Sequence, residues 1–205
     1  MLALTRARRS GVSRAVCVLL ASALLAGCGV NTIPTLQEQA KAAWSEVLNQ
    51  YQRRADLIPN LVETVKGYAS QESKVLIEVT EARAKATQTQ VQLPPDILTN
   101  PEAFQKFQEA QGQLSGALGR LLAISEAYPD LKSNQNFLTL QSQLEGTENR
   151  IAIARRDYIT AVQAYNTEIR TIPGRWWRAL LYPDAAPMQN FTVAEEKTKV
   201  PEVKF

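Results

Sequence analysis

The feature that most constrains the fold of this 205-residue chain is an apolar repeat of seven residues, sustained over three long segments. In the first segment, one series of the repeat consists of Trp44, Tyr51, Ile58, Val65, Val79 and Ala86. A second series, offset by four and three residues, consists of Leu48, Ala55, Val62, Ala69 and Leu76. This period is typical of helices that pack lengthwise on other helices. As one helix at 1.5 Å per residue, the first segment would be about 80 Å long.

Two further segments carry the same kind of apolar stripe. Asn100-Pro101-Glu102 is typical of a helix start, with an N-cap residue, a proline at the first helical position and an acid in the first turn. A third helix is predicted from Ser133 to the Ile172-Pro173-Gly174 sequence. We therefore predict an all-α fold over residues 35–182: an elongated up-and-down antiparallel bundle of three long, coiled-coil-like helices. Residues 176–181 can add a short fourth helix, and residues 183–205 are predicted to form an irregular tail.

The first 28 residues are typical of a secretory signal. A basic N-terminal stretch precedes an apolar run over residues 15–26, and the segment ends in Leu25-Ala26-Gly27-Cys28, which resembles a bacterial lipobox. The run is about a dozen residues, whereas a membrane-spanning helix needs about 20. We therefore predict a cleaved signal peptide (1–27), an acylated (palmitate-bearing) Cys28 and a short tether (28–34). Gly29 after the cysteine favours the periplasmic face of the outer membrane if the source is Gram-negative.

Charge and composition exclude several classes of function. The chain has 23 basic and 20 acidic side chains, but four of the arginines lie in the signal, which leaves 19 basic against 20 acidic. No clustered positive charge that would attract nucleic acid is therefore expected. There is no histidine, which removes the usual general base and the commonest metal ligand. The sequence thus predicts no metal, no cofactor and no enzymatic activity.

Pro59 lies inside the first apolar repeat, which continues on both sides of it. A proline within a helix removes the hydrogen bond to the carbonyl four residues earlier, here that of Ala55. One interpretation is a bent helix with Arg54 and Asp56 in flanking ion pairs. The other is a polar binding notch formed by Asp56, Asn60 and the free carbonyl.

Charged residues of the third helix flank its apolar seam, where charges commonly set helix pairing. The candidate interhelical polar network comprises Arg54, Asp56, Asn60, Glu148, Arg150 and Arg155. A catalytic carboxylate pair is the alternative, but neighbouring arginines would keep these acids ionised. In the second helix, Gly112, Gly116 and Gly119 predict close approach of a neighbouring backbone.

The segment around the tryptophan pair is the candidate partner surface, because Trp, Tyr and Arg are enriched in interface hot spots. Its residues are Trp176, Trp177, Arg178 and Leu181. After three traverses of the bundle this segment would lie at the end far from the anchored N-terminus. That position favours a cap on the bundle or a protein contact over a contact with lipid.

Several motifs resemble the signature of the LemA family. They are Tyr51-Gln52-Arg53-Arg54-Ala55-Asp56-Leu57-Ile58-Pro59-Asn60-Leu61-Val62, Leu144-Glu145-Gly146-Thr147-Glu148-Asn149-Arg150-Ile151 and Tyr165-Asn166-Thr167. The resemblance implies long antiparallel helices tethered to a membrane at the N-terminus, with no established activity and no agreed catalytic residues. Many members keep an N-terminal transmembrane helix, whereas this chain shows a lipobox. We therefore expect a non-enzymatic, membrane-anchored scaffold or protein-interaction module of the cell envelope, with an envelope protein as partner. The alternative is an envelope ligand sensor or enzyme that uses the notch at Pro59.

Overall fold

The computed structural model of the protein describes residues 29–191. The predicted signal peptide and the acylation of Cys28 lie outside these residues, as does the predicted tail beyond residue 191.

Helices account for nearly all regular structure between residues 29 and 191. They are α1 (Thr32–Tyr68), α2 (Ser73–Val91), α3 (Pro101–Ile124), α4 (Pro129–Lys132), α5 (Gln135–Glu168) and α6 (Gly174–Leu181). One-turn 3-10 helices occupy Ser70–Glu72 and Ser125–Ala127, and this part of the chain contains no strand. The predicted all-α helical-bundle fold is confirmed.

The first segment is two helices where the sequence predicts one. α1 ends at Tyr68, and Ala69 leaves helical geometry at φ −133° and ψ 49°. α2 then folds back along α1, so that the Gln90 side-chain amide donates to the Leu48 carbonyl at 3.2 Å. Both α1 and α2 bury residues of the same apolar series against the bundle. The seven-residue repeat therefore continues in the sequence through the turn that separates the two helices.

The described chain therefore crosses the bundle four times. α3 runs antiparallel to α2, with Lys85 donating to Gln113 at 3.0 Å and Arg120 pairing with Glu78. α5 runs antiparallel to α1 along most of its length. The starts of α3 and α5 are capped by the side chains of Asn100 and Asn134, which accept from the amides of Ala103 and Phe137.

Residues 183–191, here called the C-terminal strap, lack regular structure but pack into the core. Ala185, Met188 and Phe191 are buried. The strap is fastened to α5 by Asn166, whose side chain donates to the Met188 carbonyl and accepts from its amide, both at 2.9 Å. Core packing thus continues past residue 182, the predicted end of the bundle.

Candidate functional site

Arg54 lies at the centre of the bundle and is only 1% exposed. Its Nη1 donates to Glu148 Oε1 at 3.0 Å and to Ser115 Oγ at 2.7 Å. Its Nη2 donates to Gln111 Oε1 at 2.5 Å. One guanidinium thereby joins α1, α3 and α5, and of its two partners on α3, Gln111 is a buried polar residue in an otherwise apolar stripe. A buried charge needs such partners, because an unpaired one would be costly to remove from water.

The other four members of the candidate network make no ion pair with Arg54 or Glu148 within residues 29–191. Asp56 is exposed and accepts from Gln52 on its own helix at 2.8 Å. Asn60 and Arg150 are also exposed. Arg155 is half-buried, with its guanidinium carbon 4.4 Å from the centre of the Phe191 ring. The structure thus brings Arg54 and Glu148 into direct contact and places Arg155 near them beside Tyr51, whereas Asp56, Asn60 and Arg150 are exposed on the surface.

The carbonyl that Pro59 releases is not free. Arg83 Nε donates to the Ala55 carbonyl at 2.7 Å, from the neighbouring helix α2. In sequence, Arg83 is a charged residue that interrupts the apolar seam, and the fold-back of α2 explains why it lies there. The carbonyl therefore contributes nothing to a notch with Asp56 and Asn60, which lie on the outer surface.

Open grooves lie on the described surface, along the seams between helices. One, of about 520 Å³, lies between α3 and α5 with Glu148 in its wall. Two others, of about 490 and 420 Å³, lie between α2 and α3. Within residues 29–191 no three His, Cys, Asp or Glu side chains are grouped to hold a metal ion.

The glycines of α3 do not mark close packing, contrary to the expectation from sequence. A Cβ at Gly112 or Gly119 would meet nothing within 4 Å, and one at Gly116 would make only an ordinary contact with Arg120. α3 presents them to solvent rather than to a neighbouring backbone.

Aromatic side chains fill the half of the bundle that contains Trp44. Trp44 packs against Phe104, Phe107, Tyr158 and Phe191 with ring centres 5.2–6.0 Å apart. Burial raises the pKa of Tyr158, Tyr165 and Tyr51, and for Tyr51 the nearby Arg155 and Arg54 partly oppose that rise.

The candidate partner surface lies at the end of the bundle opposite to the one expected. A Cβ at Gly29 would lie 3.8 Å from Trp177 Nε1, so α6 is beside the start of α1. The fold-back of α2 adds a fourth traverse, and an even number returns the chain to the end where it began. Trp176 and Leu181 are exposed there, whereas Trp177 and Arg178 are half-buried.

None of the helices in residues 29–191 is both long and apolar enough to cross a bilayer.

Comparison with known proteins places the chain in a family. Residues 43–205 match the model of the LemA family. Magnetosome protein MamQ 2 of Paramagnetospirillum magneticum is 28% identical over 166 residues, covering 74% of this chain and 60% of that protein. Magnetosome protein MamQ of Magnetospirillum gryphiswaldense is 27% identical over 157 residues, covering 70% and 58%. Protein LemA of Metamycoplasma hominis is 24% identical over 135 residues, covering 66% and 57%.

The chain spans about three fifths of the length of these relatives. The family match itself includes most of the chain, from the fourth turn of α1 to residue 205. The chain belongs to the LemA family.

Proposed function

We propose that this protein is a membrane-anchored, non-enzymatic helical bundle of the cell envelope that serves as a scaffold or protein-interaction module. The observation that carries the proposal is that the polar side chains at the centre of the bundle hydrogen-bond to one another across helices. Arg54 is held by Glu148, Ser115 and Gln111, so the groups that could have formed a reactive centre pair helices instead. Such pairing fixes which helices are neighbours and in what register.

The anchor is proposed to be lipid on Cys28, on the strength of the signal-like residues that precede it. The full-length protein would be produced in bacteria fed an alkyne-bearing palmitate analogue, and the label would be read after membrane fractionation. We expect label on the wild type and on Cys17→Ser, and none on Cys28→Ser. Cys17 is the matched control, because it is the other cysteine in the chain and lies inside the signal. Equal labelling of Cys28→Ser would contradict the lipid anchor.

The scaffold role predicts a protein partner on the exposed face of the bundle. A photo-crosslinking amino acid at Asn60, which is exposed on α1, would be activated in cells. We expect one discrete adduct of higher mass, absent when the probe replaces the buried Ile58. A probe at Asn60 and at other exposed α1 positions that never yields an adduct would count against the role.

The alternative, a ligand sensor or enzyme at the Pro59 region, depends on Asp56 and Asn60. Both side chains are exposed, so Asp56→Asn and Asn60→Ala should fold as the wild type does. If both variants fold normally and keep the cellular phenotype of the protein, the alternative is contradicted. Glu148→Gln is a poorer test, because it also disturbs the pair with Arg54.

A further inference from the structure

The outer face of α6 and the turn that precedes it concentrate exposed apolar side chains. Trp176 and Leu180, four residues apart on the helix, are 63% and 73% exposed, and Ile172, in the turn that precedes α6, is 63% exposed. Leu181 beside them is 49% exposed. Four of the nine large exposed hydrophobic residues of the described chain thus fall within ten positions. A clustered apolar face of this kind indicates a surface that is covered by something else.

The three charged side chains within the segment are positive, and the acids Glu168 and Asp184 border it, with the Glu168 carboxylate against Gly174. Arg170, Arg175 and Arg178 lie among the apolar residues, and residues 169–183 contain no aspartate or glutamate. None of these three arginines forms an ion pair within residues 29–191. Arginine binds phosphate oxygens through a planar set of donors, and its aliphatic stem can lie along apolar surface. The chemistry of the face therefore complements phosphate groups that border a hydrocarbon layer.

The position of α6 supplies the third observation. Gly29, the residue after Cys28, has a φ of +113° and lies against Trp177. By sequence, the apolar run of residues 15–26 and Cys28 come directly before it. The chain segment proposed to hold the membrane therefore leaves the bundle beside α6, and a bilayer that holds this segment is brought to the apolar face.

We propose that α6 seats on the headgroup layer of an anionic phospholipid bilayer, as a second membrane contact beside the N-terminal tether. Trp176, Leu180 and Ile172 would enter the boundary between headgroups and acyl chains, and Arg170 and Arg175 would contact lipid phosphates. Tryptophan and arginine are favourable in this layer, since each side chain has an apolar body and a polar tip. The inference rests on the proposed membrane anchoring, but it holds whether the tether is a lipid or an embedded segment.

Two contacts at one end would orient the bundle. A single flexible tether would let the bundle rotate freely, whereas a seated α6 holds the end with Gly29 and Trp177 against the membrane. The 37 residues of α1 span about 55 Å. The opposite end, with the turn at Ser70–Glu72, would then project away from the bilayer by about that distance.

Fluorescence quenching by brominated lipid tests the seating on the full-length protein. The protein, purified from membranes, would be reconstituted in vesicles of phosphatidylcholine with about 30% phosphatidylglycerol, with bromine near the headgroup end of the acyl chains. We expect clear quenching of tryptophan emission in the wild type and at least about two-fold less in Trp176→Phe. Trp44→Phe is the matched control, since Trp44 is buried in the bundle. That variant should keep the full quenching.

Charge variants test the contribution of the arginines. Arg170→Glu with Arg175→Glu should reduce the quenching, because the face would then carry acids against anionic headgroups. Lys74→Glu makes a like change at the opposite end of the bundle and should leave the quenching as it was. Vesicles of phosphatidylcholine alone should quench the wild type less than the anionic vesicles do.

Sedimentation with the vesicles separates failure of the seating from failure of the anchor. Wild-type protein that pellets with the vesicles, and is quenched no more than Trp176→Phe, would overturn the seating while the anchor stands. That result would assign the face to a protein contact instead. Wild-type protein that neither pellets nor is quenched would overturn both. Trp176→Phe protein that still pellets, with its quenching lost, supports both.

Discussion

Arg54 on α1 pairs with Glu148 on α5 at 3.0 Å, although the side chain of Arg54 is 1% exposed and that of Glu148 is 42% exposed. Water therefore reaches the carboxylate and not the guanidinium. Removal of Glu148 should therefore have a different effect on stability from removal of Arg54. Without Glu148, the charge of Arg54 stays buried, whereas without Arg54 the carboxylate of Glu148 can be solvated.

Glu148→Ala should lower the free energy of unfolding by about 2 kcal/mol, less than the 3–5 kcal/mol typical of a fully buried pair. Ser115 and Gln111 still hold the guanidinium, which limits the loss. Urea unfolding followed by far-ultraviolet circular dichroism measures it. Glu145→Ala, a change to an exposed glutamate on the same helix, should stay within about 0.5 kcal/mol of the wild type. The double variant Arg54→Met/Glu148→Ala should cost less than the sum of the two single changes, and strict additivity would argue against the pair.

Arg83 and Pro59 should be coupled through the Ala55 carbonyl. Arg83→Met removes the donor to that carbonyl and should cost about 1–2 kcal/mol, because Pro59 offers no amide in its place. In a Pro59→Ala background the alanine amide can take the carbonyl, so the same arginine change should cost measurably less. A double-mutant cycle by urea unfolding gives the coupling. An equal cost of Arg83→Met in both backgrounds would show that the hydrogen bond to Ala55 is not what Arg83 contributes.

Glycine-to-alanine changes should act in opposite directions in α3 and at the start of α6. Gly112→Ala and Gly119→Ala should each raise the free energy of unfolding by about 0.5–1 kcal/mol, since the added methyl meets nothing within 4 Å and alanine favours the helix. Gly174→Ala should lower it by about 2 kcal/mol or more, because a Cβ there would overlap the Glu168 carbonyl oxygen. Thermal melts of the three variants compare them directly. Destabilisation by Gly119→Ala would mean that this face of α3 is packed.

The buried tyrosines predict a loss of stability in alkali. Burial raises the pKa of Tyr158, Tyr165 and Tyr51 in the folded chain, whereas the same groups ionise near pH 10 when unfolded. Above that pH the unfolded state binds fewer protons than the folded state, so stability falls as pH rises, by at most about 1.4 kcal/mol per pH unit for each group. Below about pH 10 this contribution is fully present.

Near-ultraviolet absorbance of tyrosinate measures the effect. Native protein should ionise part of its six tyrosines only well above the pH at which the urea-unfolded protein ionises all of them. Tyr158→Phe should remove one late-titrating group from the native curve. Coincident curves for the folded and unfolded protein would contradict the burial of these hydroxyl groups.

Periodicity was sufficient to predict helices and which of their faces are buried. Residues such as Trp44, Ile58, Phe107 and Tyr158 stand in the predicted stripes and are buried. Periodicity could not show the turn at Ala69. A repeat indicates which side chains face a partner, and it is the same whether or not the chain reverses direction. Because that turn was missed, the tryptophan pair was predicted at the wrong end of the bundle. Three traverses end opposite the N-terminus, whereas four traverses end beside it.

The polar network was predictable in part for a similar reason. Charges that flank an apolar seam indicate pairing between helices, which suggested Arg54 and Glu148. The identity of the further partners depends on which helix lies opposite, and the sequence shows Gln111 only as an unexplained polar residue in an apolar stripe. Residues 183–191 have no apolar repeat, so the burial of Phe191 could not be predicted from periodicity.

The contact between Trp44 and Phe191, with ring centres 6.0 Å apart, joins positions near the two limits of the described chain. A chain emerges from the ribosome from its N-terminus onward. α1 through α5 can pair as they appear, but the aromatic core around Trp44 has to wait for the last of the described residues before Phe191 can close it. Until then the apolar side chains at the end beside Gly29 lack their cover, so this half of the bundle is completed only after residue 191 has emerged.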